Sequence, residues 1–340
     1  MRAPDFWNHI SGPEAKRALR TVLRPFGWLY AKAAARRIQT TRPYDPGVPV
    51  ICVGNATLGG TGKTPIVAYL LTSLRRMGVN AQGLSRGYGG REKGPVTVEP
   101  DHSAAQVGDE PLLLSRHGPV WIAAGKDDGA RAAVTNGAKL IVMDDGHQNP
   151  ILAKTLSLLV VDAEVGFGNG CVFPAGPLRE NLDDALARTD AVILMKPAPD
   201  YKISNTLREQ LKGVVVIPAY LAPQKSAPKG QLYAFAGIGR PEKFYDSLRR
   251  AGANVVETED YADHYKYKDE DLESLFLLAS EMNAGLITTE KDYVRLPKGY
   301  RRGVQTWPVS VVFEDELTIR ACSIPLLKRP NEISSRGARL

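Results

Sequence analysis

Between residues 48 and 219, short apolar runs alternate with stretches in which apolar residues recur every three or four positions. The runs at 48–53, 81–85, 120–124, 139–143, 156–161, 191–195 and 214–218 read as buried strands. Residues 64–77, 110–115 and 127–135 read as the helices between them. This interleaving predicts an α/β fold of P-loop NTPase type, a mostly parallel sheet with helices on both faces. Ligands of such a sheet collect outside the carboxyl ends of its strands. The pattern breaks at 220–230 (LAPQKSAPKGQ), then resumes with strands at 233–237, 254–257, 285–288 and 304–313 and helices at 241–250 and 269–282. That predicts a second, smaller α/β domain. Upstream, residues 14–38 predict two amphipathic helices meeting at Pro25, with Ala15, Ala18, Leu19, Val22, Leu23 and Phe26 on one face. The chain therefore divides into an arm (1–43), a first domain (44–222) and a second domain (223–340).

The strongest chemical signal is GNATLGGTGKT (54–64), a glycine-rich turn between a strand and a helix. Backbone N–H groups of such a turn cradle phosphates, which assigns Thr57, Leu58, Gly59, Gly60, Thr61, Gly62, Lys63 and Thr64 to nucleotide binding. Lys63 would reach the β/γ-phosphates and Thr64 would hold Mg²⁺. Glycine is commoner than Thr57 at the first position. The apolar strand Leu140-Ile141-Val142-Met143 ends in Asp144 and Asp145, the arrangement of a Walker B metal site, although an acidic turn also caps helices. Asp109, in VGDEP, is placed either to cap a helix or to serve as a general base. Arg86 follows a strand and could clamp phosphate, Arg179 and Glu180 end the turn-rich FPAGPLRE, and Asp263 precedes His264 in DHY.

Charge sharpens the reading of the arm. Residues 1–43 carry nine basic side chains against Asp5 and Glu14, an excess equal to the net +7 of the whole chain. A basic, aromatic-tipped amphipathic helix fits a membrane interface, and equally a helix packed on its domain with a solvated basic face. No nucleic-acid module accompanies the charge, so no nucleic-acid partner is expected. There is no run of 18 apolar residues and no basic-then-apolar leader, so neither a membrane span nor a signal peptide is expected. Cys52, Cys171 and Cys322 lie too far apart for CxxC spacing and suggest a reducing compartment.

Taken together, VGNATLGGTGKTP, LSRGYGG, VGDEP, DDG-x-Q, FPAGPLRE, AFAGIGRP, DHY and TTEKD resemble the tetraacyldisaccharide 4′-kinase family of Gram-negative bacteria. The resemblance implies a peripheral P-loop kinase at the cytoplasmic face of the inner membrane, meeting its anionic surface without an obligate protein partner. It would pass the γ-phosphoryl group of ATP, with Mg²⁺, to the 4′-hydroxyl of a membrane-held tetraacyldisaccharide 1-phosphate, giving lipid IVA. Two domains would close over the nucleotide. The resemblance makes Lys63 and Thr64 the Walker residues and pairs Asp109, as base, with His264. Asp144, Asp145 and Glu180 would serve the metal, and Arg86, Gln148, Arg179 and Asp263 the substrate or closure. The family's usual DDGFQH reads DDGHQN here, with His147 and Asn149 in place of Phe and His. A soluble P-loop switch or metallochaperone, and a small-molecule kinase, share the first two motifs.

Overall fold

The computed structural model describes residues 4–7, 16–316 and 318–319. Residues 1–3 and 8–15 of the expected arm lie outside these, as does Cys322. Helix α1 (Arg17–Thr40) comes first. Strand β1 (Val50–Gly54) leads through the glycine-rich turn into α2 (Lys63–Arg76), followed by β2 (Ala81–Ser85) and a short β3 (Val96–Thr97). Next come α3 (Ala104–Val107), α4 (Asp109–Leu114), β4 (Val120–Ile122), α5 (Lys126–Thr135), β5 (Leu140–Asp144) and β6 (Leu156–Asp162). Helix α6 (Leu182–Leu186), β7 (Ala191–Lys196), α7 (Asn205–Gln210) and β8 (Val215–Pro223) bring the chain to the second lobe. There β9 (Gln231–Ala236), α8 (Pro241–Arg250), β10 (Asn254–Asp260), α9 (Asp269–Glu281), β11 (Ala284–Thr289), α10 (Glu290–Tyr293) and β12 (Val304–Trp307) precede a final β13 (Val309–Phe313).

The large sheet runs β13-β8-β7-β6-β1-β5-β2-β4-β3, parallel except at its two edge pairs. Strands β1, β2, β5 and β6 are buried along their whole length, as expected when helices cover both faces. Helix α2 buries Ile66, Val67, Leu70, Leu71 and Leu74 on one stripe against the sheet. Register matters most at the centre. Val53 pairs with Asp144 and Leu84 with Met143, so the ends of β1, β5 and β2 lie side by side. The second sheet, β10-β9-β11-β12, is wholly parallel. Along β9, Tyr233 and Phe235 join the α9 side, while Leu232 and Ala234 join the α8 side.

Two expectations change. The arm is one helix with Pro25 inside it, not two helices. Proline removes one backbone donor and crowds the preceding turn, yet here the helix carries on past it. The strand expected over 304–313 is split at Pro308, which has no N–H to continue a ladder. Its second half returns to the large sheet, pairing antiparallel with β8, whose own strand runs on to Pro223. Both connections between the lobes are thus hydrogen-bonded strands side by side.

Leu71 is fully buried between α2 and the sheet. Leu71→Ala is expected to lower stability by about 2–5 kcal/mol, measured by denaturant unfolding.

Candidate active site

The phosphate turn has the backbone its glycines predict. Gly59 and Gly62 adopt φ of 112° and 84°, and no side chain caps α2. Its first N–H groups therefore face the cleft, where a polyanion would complete them. Asn55 braces the turn from below, its amide donating to Thr57 O (2.7 Å) and Gly59 O (3.3 Å). Leu58, expected in the cradle, gives its N–H to Pro177 O at 2.7 Å, so that amide is already engaged. Lys63 Nζ lies 3.1 Å from Asn55 Oδ1 and 3.5 Å from Asp145 Oδ1.

Asp144 and Asp145 behave differently although adjacent. Asp145 sits in the left-handed region (φ 48°), turned toward Lys63 and Arg179. Burial alone would raise its pKa, but Lys63 and the Arg179 guanidinium outweigh burial and hold it below the ordinary range. Asp144 is buried, and burial together with the Glu110 carboxylate pushes its pKa up to about 7 against the pull of Lys63. Its Oδ1 has no hydrogen-bond partner among the described residues. Beneath the pair lies Lys126, whose ammonium donates to Leu84 O (3.3 Å) and Asp144 O (3.1 Å). Burial brings its pKa down to about 8, and exposed Arg86 adds to that depression.

Around this centre, Arg179 donates to both oxygens of Asp145 (3.0 and 3.2 Å) and to Thr57 O (3.2 Å). Gln148 donates to Asn55 O and Glu180 Oε1, each at 3.0 Å, and Arg188 pairs with the other oxygen of buried Glu180. Glu180 is therefore already engaged on both sides. His147 is buried, with Nε2 facing Ala185 O at 3.1 Å, and burial holds its pKa down near about 3. It packs where a phenylalanine would, so close that a Cβ on Gly54 would meet its Cβ at 2.5 Å. Asn149 serves the turn, accepting from Ile151 N at 2.9 Å.

Across the cleft, Asp109 of the first lobe meets side chains of the second. Asp109 opens α4 behind Gly108 (φ 89°), and its Oδ1 accepts from Glu110 N at 3.0 Å. Its Oδ2 accepts from Arg295 Nε (2.8 Å) and NH2, and lies 3.2 Å from His264 Nδ1. Lys291 Nζ is 3.3 Å from His264 Nε2 and 3.2 Å from Glu110 Oε1. His264 Nε2 thus faces the Lys291 ammonium, while Nδ1 faces both the Asp109 carboxylate and the Arg295 guanidinium at 3.4 Å. His264 has φ 60°, and Tyr88 packs edge-on against its ring at 5.4 Å. Asp292 anchors Arg295 from behind (2.9 Å) and also accepts from Gly237 N and the Tyr267 hydroxyl. Burial would raise the Asp109 pKa, but His264, Lys291 and Arg295 together hold it well below the carboxylate range. Gly60, Lys63, Glu110, Arg240, Asp263 and Lys291 line one cleft of about 1410 Å³.

The structure thus gathers Lys63, Asp144, Asp145, Gln148, Arg179 and Glu180 in one network, and Asp109, His264 and Asp263 across from it. Sequence reasoning passed over Asn55, Glu110, Lys126, Lys291 and Arg295. Asn55 and Glu110 sat inside quoted motifs, and Lys291 in TTEKD. Buried Lys126 carried no signal.

A parallel α/β sheet, a phosphate nest at its central switch and acids at the adjacent strand end define a P-loop nucleotide-binding enzyme, here with a second lobe across the cleft. The sequence model of the family described as Tetraacyldisaccharide-1-P 4′-kinase matches residues 19–322, and the chain belongs to that family. It is 46% identical over 335 residues to the tetraacyldisaccharide 4′-kinase of Hyphomonas neptunium, covering 97% of this chain and 99% of that one. It is 49% identical over 322 residues to that of a Caulobacter species, covering 93% and 96%. The crystal structure of "apo" form LpxK from Aquifex aeolicus in complex with ATP is similar, with a TM-score of 0.74 and 26% identity over 91% of this chain and 99% of that one.

Arg295→Met would leave the buried Asp109 carboxylate without its main partner. We expect a stability loss of about 3–5 kcal/mol in denaturant unfolding. The folded pKa of Asp109 lies below its unfolded value, so its pairing stabilises the protein above the carboxylate range and fades as pH falls. In the variant that fade, and the acid limb of kcat/KM against pH, should both move toward neutral.

Proposed function

We propose that this kinase transfers the γ-phosphoryl group of ATP to the 4′-hydroxyl of a tetraacyldisaccharide 1-phosphate, giving lipid IVA. The observation that carries the reading is the first turn of α4. Its Asp109 meets His264 and Arg295 of the second lobe, while neighbouring Glu110 lines the same cleft as Lys63 and acts electrostatically on Asp144. One short helix thereby joins a phosphate cradle to an acid–imidazole pair, as phosphoryl transfer to an alcohol requires.

The residues divide the work. The amides of 59–64 hold the triphosphate, and Lys63 leaves Asn55 and Asp145 for the β/γ-phosphates. The acceptor hydroxyl lies against Asp109, which orients it and takes its proton as the bond to phosphorus forms. A low pKa suits that role, because in a loose transition state the hydroxyl proton is lost late. His264, held by Lys291, keeps the Asp109 carboxylate aimed. Thr64, Asp144 and Asp145 fit Mg²⁺: a buried carboxylate oxygen without a partner, on a group whose pKa burial raises, is what a cation relieves. Among the described residues no three His, Cys, Asp or Glu form a cage, and Mg²⁺ held by one or two carboxylates plus phosphates needs none. When bound it would neutralise charge on the β- and γ-oxygens. Glu180, held by Gln148 and Arg188, orients the network behind that set.

The acceptor's four acyl chains keep it in a bilayer, and α1 suits the meeting. Val22 (65%), Phe26 (59%) and Leu29 (57%) stand exposed on one stripe among Arg17, Arg24, Lys32 and Arg36. No helix among the described residues is long and apolar enough to cross a membrane. The exposed apolar stripe with its basic flanks supports a peripheral enzyme, which we place at the cytoplasmic face of the inner membrane.

Incubation with labelled ATP, Mg²⁺ and the disaccharide 1-phosphate in detergent should give a labelled lipid. Hydrolysis without that product would favour a P-loop switch. Asp109→Asn should lower kcat roughly 10²–10⁴-fold with ATP affinity nearly unchanged. Phe26→Asp with Leu29→Asp should release the protein from anionic vesicles in sedimentation, and undiminished binding would remove α1 from that role.

A further inference from the structure

Helix α1 touches the body of the protein in an unusual way. Of its residues only Gly27 and Ala31, one turn apart, are buried. A Cβ built on Gly27 would lie 2.7 Å from Val172 O and 3.5 Å from Phe173 O, so helix backbone rests directly on the backbone of the 172–178 turn. The Tyr30 ring packs edge-on against Phe173 at 5.8 Å. Trp7 closes on the same ring at 6.0 Å, its indole N–H donating to Pro174 O at 3.1 Å.

The other end of that turn supports the phosphate nest. Leu178 bridges both Val172 and Thr57, and Leu58 N donates to Pro177 O at 2.7 Å. Arg179 N donates to Ala56 O at 2.8 Å, and its guanidinium ties Thr57 O to Asp145. Asp145 in turn lies 3.5 Å from Lys63. The path from Gly27 to Lys63 therefore runs through backbone contacts, backbone hydrogen bonds and two ion pairs.

We propose that α1, seated through Gly27 on the 172–178 turn, is a positioning element for the nucleotide site: the seat fixes the turn, and the turn fixes residues 56–58 and the Arg179–Asp145 pair. The helix proposed to meet the bilayer is then also tied, through that turn, to the phosphate nest. This rests on the reading of residues 59–64 as the ATP cradle. No residue of α1 touches the reacting atoms, so its effect falls more on ATP binding than on the chemical step.

Gly27→Val drives side-chain atoms into the Val172 carbonyl, and Phe173→Ala removes the ring contacts while leaving the helix intact. ATP affinity with Mg²⁺ is measured by titration calorimetry, and KM and kcat in detergent without vesicles, so that membrane binding plays no part. Both variants should raise the Kd and KM for ATP about 3- to 30-fold, the range for coupling through a packed path. The kcat at saturating ATP should stay within about twofold of wild type. Amide exchange should quicken at 172–180 and stay unchanged in β9 and α9. If Gly27→Val does not fold, Phe173→Ala carries the test alone. ATP affinity equal to wild type, or a fall in kcat alone, overturns the proposal. Should Lys63→Ala leave the wild-type ATP affinity unchanged, the cradle reading fails instead, which tells the two failures apart.

Discussion

The constraint on which the site depends is a buried carboxylate shared between two lobes. Asp109 belongs to the large sheet's lobe, yet Arg295, Lys291 and His264 beside it all come from the other. A charge taken out of water must be matched by nearby charge and donors, and this one is matched only when the lobes are together. The pairing of Asp109 and the packing of the two lobes are therefore one electrostatic condition. At the opposite edge of the cleft, Asp162 and Glu164 meet Arg240 and Lys243 with contacts of 2.5–2.8 Å. In both places the first lobe supplies acids and the second supplies bases. At both edges of the cleft the two lobes therefore meet through ion pairs.

Inside the first lobe, the same rule governs the floor of the site. Lys126 is a buried cation that donates to two carbonyl oxygens, one of them that of Asp144. The Asp144 and Asp145 carboxylates offset its burial, and it offsets theirs. The arrangement places opposite charges above and below a strand end, so the strand end is held in one position before any ligand arrives. Asn55, Gln148 and Glu180 extend this by hydrogen bonds that satisfy each other and leave few donors idle. Of the two departures from the family motif, His147 is buried with Nε2 at Ala185 O and Nδ1 without a partner among the described residues, and Asn149 closes a turn, while the acids and Gln148 keep their places.

Local order determined a good deal by itself. Apolar runs long enough for a buried strand, the three-and-four stripe of α2 and the glycines at 59, 60 and 62 are each set by neighbours in the chain. That is why the parallel α/β fold, the phosphate turn and the acids of β5 were legible. So were α5, α8 and α9, and the motif set that marks the family. Proline misled twice: at 25, where the helix continued, and at 308, where one apolar run proved to be two strands in different sheets.

Tertiary structure alone decided what each charged side chain faces. Asp109 finds Arg295 across a sequence separation of 186, and Arg179 finds Thr57 across 122, because strand register and lobe packing bring them there. No periodicity encodes such a meeting, and a lysine such as Lys126 looks in sequence like any solvated cation. Secondary structure follows from short-range sterics and the burial of apolar faces, which a chain states residue by residue. Electrostatic pairing follows from distance in space and from the removal of water, and both exist only once the chain has folded.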